Sequence, residues 1–202
     1  DYVSADMQPH VAQVYERALA SLSHQGVQLV SVPFPELLEL PEINRQGGFS
    51  AYESWQCHKD FISQRAAEYD PRVLARIQRG AAMSDADYRQ LHQQRAAWIA
   101  RASARFAGFD ALVMPTVPMV APLVSDCDSD SEFARLNLLA LRNPSSVNFL
   151  DGCAISLPCQ APGEAPVGLM LVQTGGQDRA LLECAYAIER LLSLHLMGAS
   201  GR

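Results

Sequence analysis

Apolar residues recur at helical spacing near the start of the chain, at Val11, Val14, Ala18 and Leu22, and predict a helix over about 8–25 that Gly26 ends. A run of apolar and β-branched residues over 27–32, closed by Pro33 and Pro35, reads as a strand, so that helix, glycine and strand form one αβ unit. Helical stretches follow over about 36–44 and 51–68, separated by Gly47 and Gly48, and Pro71 opens a shorter helix that Gly80 stops. Ser84 and Asp87 have the spacing of a capping box, in which each side chain satisfies a free N–H of the first turn. The helix they open carries Tyr88, Leu91, Trp98, Ala102 and Phe106 near one face and ends before Gly108. Residues 111–114 read as a short buried strand, and Pro115, Pro118 and Pro122 keep the chain after it extended. The polar, acidic stretch 125–131 reads as a flexible loop, and 132–141 as a helix. A polar turn is expected from Arg142 onward, then strands over 154–157 and 167–172, a turn at Gly175 and Gly176, and a last amphipathic helix. That helix opens at Asp178 and carries Leu181, Ala185, Ile188 and Leu192. No internal repeat and no long linker interrupts the pattern, so 1–202 reads as a single domain of the α/β class, with helices packed on a parallel or mixed β-sheet.

Composition narrows the classes of function. At 202 residues, 49% apolar and 19% charged, the chain is able to bury a sizeable core. No apolar run approaches the roughly 18 residues that a membrane helix needs, so a membrane partner is not expected. The N-terminus lacks the basic and apolar regions of a secretory signal, and the absence of an initiator Met reads as a processed or trimmed chain. The net charge of −6, with arginines scattered rather than blocked, argues against nucleic acid as a partner. Five cysteines at irregular spacing contain no Cys-x-x-Cys pair, which points to reduced thiols and a cytoplasmic protein.

Candidate chemistry is sparse. The Gly-x-Ser-x-Gly elbow of the α/β hydrolases does not occur. A Cys–His hydrolase would need Cys153 or Cys159 beside one of His10, His24, His58, His92 or His195, and nothing in the spacing places a histidine next to either thiol. Cys153 reads instead as a core residue at the start of a strand. The histidines never fall at i, i+4, so no metal site is expected.

One stretch is more specific than any of these. Asn148, Gly152-Cys153-Ala154, Ser156, Pro158 and Pro166-Val167-Gly168-Leu169 follow one another within thirty residues, and the run resembles the C-terminal part of the amidase-signature hydrolases. The resemblance extends upstream in the family's order. It takes in the first helix with Gly26, then Tyr52-Glu53, Asp70-Pro71-Arg72, Arg76-Ile77-Gln78-Arg79-Gly80, Asp87-Tyr88 with Arg95, and Phe109-Asp110-Ala111-Leu112-Val113-Met114-Pro115-Thr116-Val117-Pro118. Each motif alone is weak; their ordered succession over nearly the whole chain is strong.

The resemblance implies helices packed on a mixed β-sheet, and hydrolysis of a carboxylic amide to acid and ammonia through an acyl-serine intermediate, with no metal or organic cofactor. The family's machinery is a Ser nucleophile, a second Ser, a Lys base and a Gly/Ser-rich stretch whose N–H groups hold the oxyanion. This chain has no Gly-Ser-Ser string, and its one lysine, Lys59, lies in a polar helical setting that reads as surface. No catalytic residue is therefore assigned. The chain is expected to be the C-terminal portion of an amidase, inactive alone, with a small-molecule amide as the partner of the whole enzyme. Three positions are carried over as substrate-binding. Arg95 matches an arginine that holds the substrate carboxylate in the glutamine-using amidotransferase members, a task suited to a planar guanidinium; the alternative is a solvated arginine on a helix surface. Thr116 follows the strand and lines the substrate cleft, and Asn148 either does the same or fixes the turn before the next strand. Those amidotransferases also carry an Asp before the Pro-x-Gly strand, where this chain has Gly163 and Glu164. Cys153 stands where the family has Pro. The alternative class is a non-catalytic interaction domain docking onto a partner subunit. A portion cut from a continuous sheet is also expected to self-associate through the sheet edge or apolar face that it exposes.

Overall fold

The computed structural model describes residues 2–199, and side chains through Ser193. The expected single domain is organised as two compact units, one formed by Asp1–Phe34 with Ala102–Arg202 and the other by Pro35–Arg101.

The first unit is built on three strands, β1 (Leu112–Pro115), β2 (Cys153–Pro158) and β3 (Gly168–Gln173), in the order β1-β3-β2. Both pairings are antiparallel, with Met114 and Ser156 each opposite Met170. The helices-on-sheet architecture is the one expected; the parallel pair that a mixed sheet requires is not among the described strands. β3 is central and buried on both faces, which is why Leu169, Met170, Leu171 and Val172 form an unbroken apolar run. On one face Val11, Val14, Ala18 and Leu22 of α1 (Pro9–His24) join Leu181, Ala185, Ile188 and Leu192 of α7 (Asp178–Ala199) in a cluster with Leu157, Leu169 and Leu171. Each such fully buried leucine contributes about 1.5–3 kcal/mol relative to exposure.

Two expectations for this unit are corrected. Residues 27–32 form no strand: Gly26 ends α1 with φ +91°, and the segment pairs with none of the three strands. Val30 is 66% exposed, and Pro33 and Pro35 have no N–H to give a ladder. Apolar β-branched composition without a neighbouring strand leaves an extended segment. The polar turn expected from Arg142 is instead helical, because α6 runs Asp130–Leu150 straight through Pro144. An interior proline costs about 3 kcal/mol in an isolated helix; here Leu136, Asn143, Val147 and Leu150 bury one side of the helix and offset it. The reversal comes later, at Asp151 (φ 60°). The stretch 125–131, expected as a loop, overlaps a short 3-10 helix (Val124–Cys127) and the start of α6, which Ser129 caps by accepting from the N–H of Glu132 at 3.2 Å.

The second unit is helical: a 3-10 turn (Pro35–Glu39), α2 (Leu40–Ile43), α3 (Gly48–Arg65), α4 (Pro71–Gln78) and α5 (Asp85–Ser103), whose residues through Arg101 belong to it. The expected capping box opens α5, with the Ser84 N–H donating to Asp87 and the Asp87 N–H donating to Ser84 Oγ. Trp98 is buried, and its ring N–H donates to the Glu36 carbonyl at 2.7 Å. Tyr52 stacks on Tyr88 at 4.1 Å between centroids and donates its hydroxyl to Asp85, while Tyr88 donates to Glu53. Those bonds tie α3 to α5, and the Glu53 bond is the main reason that the Tyr88 phenol is pushed up to about 12. Gly80 lies against α3 so closely that a Cβ there would overlap the Ala51 carbonyl oxygen and stand 2.7 Å from Trp55 Cβ.

Candidate substrate-binding residues

Thr116 directly follows β1, on the edge of the sheet. Its N–H donates to the Gly168 carbonyl at 2.9 Å, extending the β1–β3 ladder by one residue. Its hydroxyl reaches across β3 to Ser156 on the opposite edge strand, with Oγ1 and Oγ separated by 2.5 Å. The crossing requires a glycine between them: a Cβ at Gly168 would overlap both hydroxyl oxygens and lie 3.0 Å from Thr116 Cβ. Thr116 and Gly168 are half-buried and Ser156 is exposed, so the hydroxyl pair lies at the surface of the first unit above a floor of bare backbone.

A buried amide supports this arrangement from behind. Asn143, on α6, has 0% exposure, and its Nδ2 donates to the Pro115 carbonyl at 2.8 Å and to the Val3 carbonyl at 3.1 Å. Arg142, next to it, donates to the carbonyls of Val3 and Ala5. Ser146 Oγ in turn donates to the Asn143 carbonyl at 2.6 Å. Burying an unpaired amide costs several kcal/mol, so the full set of partners is what makes the position tolerable.

Asn148 belongs to the last turn of α6 and is exposed. The Asp151 N–H donates to its carbonyl at 3.2 Å, so its backbone helps end the helix. Arg95 belongs to the other unit, on α5, with its guanidinium 5.6 Å from the Phe49 ring centroid. Thr116 and Asn148 thus share a unit, and Arg95 lies outside it.

Sequence reasoning left Asn143 and Ser156 unassigned. Ser156 carried a signal, being polar at the middle of an apolar strand. Asn143 carried none, because it was read as part of a polar turn.

The two candidate thiols are held in structural contacts. Burial raises the Cys159 thiol to about 11 and moves the Cys153 thiol upward, and their hydrogen bonds run to backbone carbonyls, Val167 for Cys159 and Gln173 and Thr174 for Cys153. Neither is a poised thiolate. The side chain of His195, one of the histidines considered as a partner, lies outside the described residues. All five cysteines are free, and among the described residues no cluster of three His, Cys, Asp or Glu is arranged to hold a metal. Lys59 is exposed and donates to Gln56 at 2.6 Å. No described helix is long and apolar enough to cross a membrane.

Glu164, in the position compared with the amidotransferase Asp, is occupied by a bidentate pair with Arg17 of α1 and accepts the Ala161 N–H at 2.7 Å. The Arg17 bonds, followed by the Ala161 N–H, hold its carboxyl below the ordinary value of 4.5. A carboxyl depressed in the folded state stabilises above its unfolded pKa, and that contribution is lost as the pH falls through the folded value. Stability should therefore drop as the pH falls below about 4.5, and Arg17→Gln should flatten the drop. Urea midpoints between about pH 3 and pH 6 check this; equal slopes in the two proteins would remove the pair from the account.

Helices packed on a small antiparallel sheet, with an edge-strand hydroxyl reaching over a glycine, define an α/β scaffold. The chain belongs to the Amidase family, which it matches over residues 1–182. It is 30% identical to a 2-amino-5-chloromuconic acid deaminase of Comamonas testosteroni, covering 93% of this chain and 41% of that protein. It is 28% identical to a glutamyl-tRNA(Gln) amidotransferase chain of Moorella thermoacetica, covering 96% and 44% respectively. Among solved structures, an allophanate hydrolase of Kluyveromyces lactis superposes with a TM-score of 0.78 at 23% identity, covering 92% of this chain and 29% of that one. That last likeness is one of fold. The chain spans about two-fifths of the length of these curated relatives.

Proposed function

We propose that the complete protein hydrolyses a carboxylic amide to acid and ammonia through an acyl-serine intermediate, and that this chain supplies scaffold and substrate contacts rather than the nucleophile. One observation carries the reading: the chain matches the Amidase family over residues 1–182 yet contains no Gly/Ser-rich string, and its one lysine is a surface residue bonded to Gln56. An activated serine, a neutral amine base and preorganised donors are all required for this chemistry, so the Ser-Ser-Lys set lies outside these residues. Thr116, Asn148 and Arg95 are the residues proposed to contact substrate. Arg95 suits a substrate carboxylate, for which its planar fork offers paired donors. The substrate class is a small amide, the protein works in the cytoplasm, and nucleic acid is not a partner; free thiols and a net charge of −6 support the last two points. β1 and β2 are both edges of the described sheet, which supports self-association of the chain through an exposed sheet edge. A concentration-independent monomer mass by light scattering would contradict this last point.

Trapping the intermediate tests the mechanism. The complete protein, incubated with a simple aryl amide and acid-quenched, should carry one acyl group on a serine outside these 202 residues. An acyl group mapped to Ser156, or to any cysteine of this chain, would contradict the reading.

A further inference from the structure

The contact between Thr116 and Ser156 is short, crosses a whole strand, and joins two residues 40 positions apart. Three features of the fold converge on it. Gly168 leaves the space through which the hydroxyls meet. The Thr116 N–H is fixed on the Gly168 carbonyl, and Asn143 holds the Pro115 carbonyl one residue earlier, so the backbone on which Thr116 rides is pinned on two sides. Ser156 stands on the exposed face of an edge strand, so the pair is open to a ligand.

A threonine hydroxyl has one proton and two lone pairs. The bond to Ser156 uses part of that capacity and selects one χ1 rotamer, since the other staggered positions would carry Oγ1 away from Ser156. What remains is aimed in one direction. We infer that Ser156 is a positioning residue for Thr116: it sets the rotamer and the hydrogen-bonding role with which Thr116 meets a polar atom of the amide substrate. This rests on the reading of Thr116 as a substrate contact.

Two measurements on the complete protein test it. The first is the rotamer itself. Thr116 is one of two threonines in this chain, with Thr174, and its labelled methyl group reports χ1 by NMR. Ser156→Ala should move that signal toward a rotamer average, and Ser156→Thr should keep it in place. An unmoved Thr116 methyl in Ser156→Ala would overturn the inference whatever the kinetics. The second is steady-state turnover of propionamide and benzamide. Thr116→Val should raise KM by about 3–10-fold, the value of one neutral hydrogen bond, with kcat within about twofold. Ser156→Ala should raise KM in the same direction, Ser156→Thr should restore it, and the double variant should be no worse than Thr116→Val alone. Additive losses, or a KM that rises in Thr116→Val but not in Ser156→Ala, would overturn the positioning role while leaving Thr116 as a contact. A KM unchanged in Thr116→Val would instead overturn the reading of Thr116 on which the inference stands.

Discussion

Gly80→Ala is expected to lose at least ~3 kcal/mol of stability, the upper range for overpacking, because the added methyl has nowhere to go. The obstacle is the Ala51 carbonyl in the first turn of α3, together with Trp55 Cβ, and backbone in a packed helix does not give way as the tip of a flexible side chain would. The helix-stop role that the sequence suggests for Gly80 is therefore the lesser of its two. Its φ is not positive, and the glycine is demanded by close approach. Trp98, buried in the same unit with its ring N–H on Glu36, provides the optical probe. Its fluorescence should report a urea midpoint lowered sharply in Gly80→Ala at nearly constant slope. A midpoint within experimental error of the parent would mean that α3 and the 79–82 turn are not packed as described.

Asn143→Ala is expected to cost about 3 kcal/mol, by a different mechanism. The side chain fills a fully buried site, and removing it takes the side-chain donor from the Pro115 carbonyl and leaves the Val3 carbonyl to Arg142 alone. Asn143→Leu, which keeps most of the volume, should recover little, because the loss lies in the buried Pro115 acceptor rather than in the cavity. Recovery to near the parent stability in Asn143→Leu would show instead that packing dominates. Since Asn143 anchors the residue before Thr116, both variants should also raise KM in the complete protein.

These two residues show where the sequence was legible and where it was not. Helices set by local rules could be read directly: α1 from its apolar spacing and Gly26, α5 from Ser84 and Asp87. The β2 and β3 strands could be read because apolar runs are bounded by Gly152, Pro158 and Gly168. Elements decided by distant partners could not. Residues 27–32 have strand composition but no strand beside them, and α6 passes through Pro144 because tertiary burial outweighs a local helix breaker. The site divides in the same way. Thr116 was marked by its place in a proline-bounded motif. Its link to Ser156 and its support by Asn143 depend on pairing register and on a buried amide, neither of which leaves a mark in one sequence.

The proposed division of labour gives this chain the scaffold and substrate contacts of an amidase but not its reacting groups. Ammonia release from propionamide or benzamide, assayed side by side for the complete protein and for the 202-residue chain, checks that division. Turnover is expected from the complete protein and none above the buffer rate from the chain. Sustained ammonia release by the chain alone, lost on substitution of one of its own serines or cysteines, would contradict it.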